Sequence, residues 1–279
     1  MRKAKRTNIL GFYRDSRLLL ATAVVVVIVI AAIGAPVLAP RSPEAMNAGN
    51  RLEGPSASFV LGTDSFGRDL LSRIIHGARL SLTVSVGSVL IGTVVGTILG
   101  LLAGYFGRTT EMVLMRLVDL LLAFPSILSA LFVVAFVGTD VSTLIVTIGI
   151  LFVPEFARIV HGAVLATKQL DYVEAARTVG NSDPRIMVRA ILPNILAPIA
   201  VQVSLAMGGA ILLESSLSFL GLGPPPPTSS WGRMVADAAS FMRLSPFVLI
   251  WPAAVIAIVV LAFNILGDVI RDRLDPRLR

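Results

Sequence analysis

Apolar runs long enough to cross a bilayer alternate along this chain with short segments that hold most of its charge. A hydrocarbon core of ~30 Å takes about 20 residues of helix to span. Six stretches meet that length, at roughly 18–39, 80–104, 112–137, 143–163, 195–222 and 246–267. The pattern predicts an all-α integral membrane protein with six transmembrane helices. The joints carry breaker residues: Gly104 and Gly107, Gly138 with Asp140, Gly221 to Pro227, and Ser245-Pro246. Residues 40–79 read as a polar loop. Its end places Leu70, Leu71, Ile74, Ile75 and Ala78 at helical spacing, which predicts an amphipathic helix at the membrane surface before the second span. The first run is longer than a signal-peptide core of about 7–15 residues. A cut after Val37-Leu38-Ala39 would also leave Pro40 leading the product, so a retained anchor is expected.

Composition agrees with the pattern. The 279 residues are 55% hydrophobic and 15% charged, with a mean hydropathy of +0.85, against about 25% charged in a soluble domain. Cysteine is absent, which excludes disulfides, thiolate metal sites and cysteine nucleophiles. The net charge of +7 is not read as a nucleic-acid footprint, because basic residues in a polytopic protein hold loops on the cytoplasmic side. With the N-terminus inside, seventeen Lys and Arg fall on inner segments and seven on outer ones. Both termini and the loop 164–194 are therefore expected in the cytoplasm, with tails at 1–17 and 269–279.

That inner loop is built like part of a soluble protein. Asp171 and Glu174 have the spacing of a capping box. Tyr172, Ala175, Ala176 and Val179 fall on one side of a short helix, with Glu174 and Arg177 elsewhere. Gly180 suits the left-handed position past a helix end. Asp183-Pro184 reads as N-cap and first residue of a second short helix, which Pro193 breaks or kinks. Two short helices at a fixed angle, carrying small alanines and a tyrosine anchor, suit a docking element. An ordinary loop packed on its own protein has the same local signals.

Residues 174–193 resemble the EAA loop of the permease subunits of ABC importers: Glu174-Ala175-Ala176, Gly180 after three residues, then Ile191-Leu192-Pro193 after ten. Ile191 and Leu192 are adjacent here, where the family pattern separates them. LGTDSFGRDLLSRIIHGARLSL (61–82) and LLESSLSFLGLGPPPPTSSWGRMV (212–235) are similar to stretches of the C-type subunits of dipeptide, oligopeptide and nickel importers. The four-proline run and Arg233 are local variants. The likeness extends from the first span to the C-terminal GDVIRDRLDPRLR.

The resemblance implies a type I importer permease core over 80–268, in a bacterial plasma membrane. It implies four partners: a homologous B-type permease, two P-loop ATPase subunits and an extracytoplasmic substrate-binding protein. Tyr172, Glu174, Ala175, Ala176, Arg177, Gly180, Asp183, Pro184 and Pro193 would couple this chain to the ATPases. ATP and Mg would sit on those subunits, with no cofactor on this one. Di- or oligopeptides are the expected cargo, with nickel chelates, glutathione or sugars as alternatives.

Inside the spans, Gly92, Gly96, Gly100 and Gly104 line one helix face, a spacing that permits close helix contact in lipid. Their pattern fits a sliding seam or static packing equally. Arg116 with Asp119, and Glu155 with Arg158, are spaced for ion pairs within a helix. Glu214 has no local partner, so a place at the outer boundary or a partner on another helix is expected. Pro125, Pro154 and Pro198 are expected kinks. His76 and His161 are isolated and make no metal site. The chain has no G-x-x-x-x-G-K-[ST] motif and no nucleophile–base pair, so ATP hydrolysis is expected on another polypeptide. A secondary transporter would show repeated halves, and none is seen. A membrane-anchored assembly or sensor protein would not need glycine-lined spans around a docking loop.

Overall fold

The computed structural model describes residues 16–274. The basic residues Arg2, Lys3, Lys5, Arg6 and Arg14, and Arg277 and Arg279 at the other end, lie outside the described residues. Nine helices carry the described fold. They are α1 (Ser16–Ile33), α2 (Leu70–Phe106), α3 (Arg108–Leu122), α4 (Ser126–Val137), α5 (Val141–Thr167), α6 (Asp171–Thr178), α7 (Asp183–Phe219), α8 (Trp231–Ala239) and α9 (Phe247–Leu274). Five of these (α1, α2, α5, α7 and α9) are long and apolar enough to cross a membrane, and α3 with α4 makes a sixth span if the bent pair is counted as one.

Three expectations about the spans are corrected. The amphipathic stretch at 70–78 is not a separate surface helix but the first turns of α2, which runs unbroken for 37 residues. At 1.5 Å per residue that is about 55 Å, well beyond the hydrocarbon core. Asp69 caps it, accepting from the Ser72 amide at 2.8 Å and the Ser72 hydroxyl at 2.6 Å. The apolar stripe has a protein partner: Leu70 and Ile74 are buried with Met234, Ala238 and Val248. Second, the kink expected at Pro125 is large enough to divide the stretch 112–137 into two helices. Pro125 supplies no amide hydrogen and crowds the preceding turn, and the chain bends by 82° between α3 and α4. Third, Pro193 does not break its helix. A π turn over Met187–Ile191 absorbs the missing amide, with the Leu192 amide reaching back to the Met187 carbonyl. The second short helix therefore continues into the span as α7, in which Pro198 also sits, while Pro154 sits inside α5.

The glycine stripe of α2 meets α5 along its length. A Cβ at Gly92 would lie 2.7 Å from that of Phe152, one at Gly96 2.5 Å from that of Phe156, and one at Gly104 2.7 Å from that of Val164. At Gly100 it would meet the Ala157 carbonyl oxygen at 2.5 Å. The two backbones approach closely because nothing stands between them, which is how small residues associate helices in lipid. At the other end of α2, Trp231 is fully buried. Its indole Nε1 donates to the Ile74 carbonyl at 2.9 Å, and its ring lies where a side chain at Gly77 would be.

Candidate functional site: the elbow at 171–193 and its ties to the spans

The elbow begins at α6, eight residues long. Leu170 is its N-cap, in extended conformation, and no side chain caps the helix. The expected capping box is therefore absent: Asp171 is already inside the helix, where its charge still favours the N-terminal dipole. The C-terminal end agrees with expectation. Gly180 has φ +83°. Its amide donates to the Arg177 carbonyl at 3.0 Å and the Asn181 amide to the Ala176 carbonyl at 3.2 Å, the two bonds of a Schellman motif. The Asn181 side-chain amide adds a third bond, to the same Ala176 carbonyl. Asp183 is likewise not a cap. Ser182 takes that place and Asp183 is the first helical residue, with Pro184 after it. The Asp183 carboxylate is engaged elsewhere, by Tyr105.

Burial divides the two faces of α6. Val173 is buried, in one cluster with Ile186, Met187 and Ile191, and Ala176 packs against that cluster. Ala176 thus belongs to the inner face, a correction to its expected place beside Tyr172. Tyr172 (42% exposed), Ala175 and Val179 (82% exposed) point outward, with Glu174 and Arg177 flanking them. The hydrophobic effect alone does not explain an almost wholly exposed valine at a helix end.

Two contacts tie this elbow to the end of α2, and a third, from the C-cap of α5, lies beside them. The Tyr105 hydroxyl donates to Asp183 Oδ1 at 2.6 Å. The Arg177 guanidinium lies 5.7 Å from the Tyr105 ring centroid, and the Tyr105 hydroxyl pushes the Arg177 pKa above its ordinary value. Lys168 Nζ donates to the Gly104 carbonyl at 2.6 Å. Gly104 is the last member of the glycine seam, so this bond closes the α2–α5 contact just before the chain enters the elbow. Sequence reasoning missed Tyr105 and Lys168, which are 78 and 64 residues from their partners. Of the expected coupling residues, Tyr172, Glu174, Ala175, Arg177 and Gly180 share the exposed side, while Pro193 sits exposed at the start of the straight part of α7.

Charges at membrane depth are paired between helices, not within them. Asp119 on α3 takes Arg158 on α5, at 2.7 Å, and not Arg116. Glu155 on α5 accepts from the Gln202 amide on α7 at 2.9 Å, and not from Arg158. Both expected pairs are thereby overturned: packing places a partner on another helix at better geometry than the next turn offers. The Arg158–Asp119 pair is about half exposed, at 55% and 49% for the two side chains. His161 is not isolated either, since its Nε2 lies 3.0 Å from Glu111 Oε1 on α3. Glu214 is buried and accepts from Ser81 of α2 at 2.9 Å and Ser218 at 2.8 Å, so its partner is on another helix. Among the described residues no three His, Cys, Asp or Glu side chains gather to hold a metal.

Residues 96–279 match the family described as the inner membrane component of binding-protein-dependent transport systems. The chain belongs to that family. Its relatives extend the match across nearly the whole sequence. A dipeptide transport system permease of Alkalihalophilus pseudofirmus is 44% identical over 251 residues, covering 90% of this chain and 83% of that one. A glutathione transport system permease of Pectobacterium atrosepticum is 48% identical over 227 residues, covering 81% and 75%. Among solved structures, a methionine ABC transporter in an inward-facing conformation superposes with a TM-score of 0.59, at 18% identity, covering 72% of this chain and 96% of that one. This inner membrane component is therefore a multi-pass permease subunit of an ABC importer with the type I fold, as its resemblance to the C-type subunits implied.

Proposed function

We propose that the chain is the C-type permease subunit of a bacterial peptide importer, and that α6 carries ATPase motion into the spans. It pairs with a homologous B-type permease and docks on two P-loop ATPases, which hold ATP and Mg. It receives cargo from an extracytoplasmic binding protein. Both termini and the elbow lie in the cytoplasm, in line with the distribution of Lys and Arg. The observation that carries the reading is the elbow itself. It presents Tyr172, Ala175 and Val179 to a partner while the Tyr105–Asp183 bond ties it to the end of α2. A push on the outer face of α6 would reach the end of α2 through that hydrogen bond and the Arg177–Tyr105 contact.

Peptide is the favoured cargo, since the dipeptide relative matches 90% of this chain, with glutathione, itself a tripeptide, as the second reading. Glu155 and the half-exposed Arg158–Asp119 pair support a wet pathway on that side of α5. Charges at this depth do not face lipid. The test is purification of the tagged chain from native membranes in mild detergent. A co-purifying homologous permease and P-loop ATPases are expected, and a chain that stays alone after crosslinking overturns the reading. In the assembled transporter, Gly180→Val would keep insertion and ATP hydrolysis but lose uptake. Normal uptake by that variant would remove the elbow from the mechanism.

A further inference from the structure

The mouth of the bundle on the side of residues 40–69 holds two cavities that share two residues. One is an apolar groove of about 620 Å³ between α1 and α2, lined by Val29 and Ile33 on one side and Leu82 and Val86 on the other. The second, of about 360 Å³, is polar and lies under the Pro227–Ser229 loop, lined by Glu44, His76, Thr228 and Ser229. Arg79 and Thr83 line both. Arg79 stands at the first residue before the apolar run 80–104, so it sits at the level where hydrocarbon gives way to headgroups.

The polar cavity has unspent binding capacity. Arg79 and Glu44 both line it and form no ion pair with each other. The Ser229 hydroxyl is buried and has no hydrogen-bond partner among the described residues, a state that costs free energy unless something fills it. His76 Nδ1 lies 3.0 Å from the Ser72 carbonyl. A carbonyl only accepts, so Nδ1 holds the proton and Nε2 is left as an acceptor in the neutral ring. The cavity thus offers a cation with two hydroxyls, suited to a phosphate, and a carboxylate with a ring nitrogen, suited to an ammonium. It opens into a groove suited to an acyl chain.

We propose that this composite cavity binds one zwitterionic phospholipid with a primary ammonium headgroup, of the phosphatidylethanolamine type. The phosphate rests on Arg79, Thr228 and Ser229, the ammonium lies toward Glu44 and His76, and an acyl chain lies between α1 and α2. A peptide end would satisfy the two charges but would leave the apolar groove unfilled, and a free anion would use neither Glu44 nor the groove. The lipid would then fill the space between α1 and the outer part of α2, where protein contact alone leaves it open.

The test uses the complete transporter in vesicles of mixed phosphatidylethanolamine and phosphatidylglycerol. Each lipid is added in turn as a probe with a photoactivatable diazirine on its acyl chain, and labelled peptides of this chain are read by mass spectrometry. The ethanolamine probe should label residues 16–33 and 82–90 several-fold more than the glycerol probe. On the exposed Phe132 and Phe136 of α4, which report bulk lipid, the two probes should label alike. Arg79→Gln should lower labelling of residues 16–33 and 82–90 by both probes, and Glu44→Gln should lower it for the ethanolamine probe alone. Both side chains are exposed, so both variants should assemble. Equal labelling by the two probes, or labelling unchanged in Arg79→Gln, overturns the proposal.

Discussion

The two ends of α2 are held by opposite means. At its N-terminal end the contact is made of large and charged groups in defined places: Trp231 over Gly77, and Asp64 between two buried arginines, 2.6 Å from Arg68 and 3.5 Å from Arg73. At its C-terminal end the contact is a row of glycines against the backbone and Cβ atoms of α5, closed by the Lys168 and Tyr105 hydrogen bonds. The first kind of contact has one good geometry. The hydrogen bonds of a charge pair and of an indole weaken steeply when their geometry is disturbed. The second is smooth, because a glycine face offers no knobs to lock. Under the proposed function a helix so built would act as a lever, clamped at one end and able to follow a push at the other. The elbow is attached at this second end.

The largest effects should come from the clamp. Asp64→Ala leaves Arg68 and Arg73 buried without their counter-charge, which costs about 3–5 kcal/mol, and thermal scans of the solubilised chain should show a large fall in Tm. Trp231→Ala opens a cavity at a fully buried site, with a similar cost of about 3–5 kcal/mol, whereas Trp231→Phe should recover part of it. An unchanged Tm in either alanine variant would break the contrast between the two ends. A smaller effect is expected in the seam. Gly96→Ala brings a methyl within 2.5 Å of Phe156 Cβ and 2.8 Å of the Val153 carbonyl. Overpacking of this kind costs about 1–3 kcal/mol, and uptake should fall more than yield. The smallest is Tyr105→Phe. It removes one hydrogen bond, worth about 0.5–1.5 kcal/mol, and should raise amide exchange across 171–186 while leaving 64–78 protected. Faster exchange at both ends would mean that the ends are not independent.

Hydropathy alone showed an all-helical membrane chain of five or six spans, because lipid forces every crossing segment to be long and apolar. The Schellman end at Gly180 was also legible, since a left-handed position next to polar residues is a local signal. What failed was long-range. The stripe at 70–78 looked interfacial because Met234 and Ala238, which cover it, are about 160 residues away. Ion pairs at three-residue spacing were drawn within helices, but Asp119 and Glu155 found partners on neighbouring ones. The elbow's tie at Tyr105 and the Lys168 bond beside it carry no motif. Pro193 reads as a break or a kink because a proline in a helix usually makes one, and nothing local announces the π turn before it.

The central claim is that α6 turns one face to a partner and the other to its own spans. The natural absence of cysteine makes a direct measurement possible. Ala175→Cys and Ala176→Cys would be compared for crosslinking by a short maleimide–benzophenone reagent, whose second arm inserts into nearby C–H bonds, in membranes that contain the whole transporter. The account predicts a crosslink from position 175 to a P-loop ATPase and little or none from position 176. Equal crosslinking from both positions, or a crosslink from 176 alone, would contradict it.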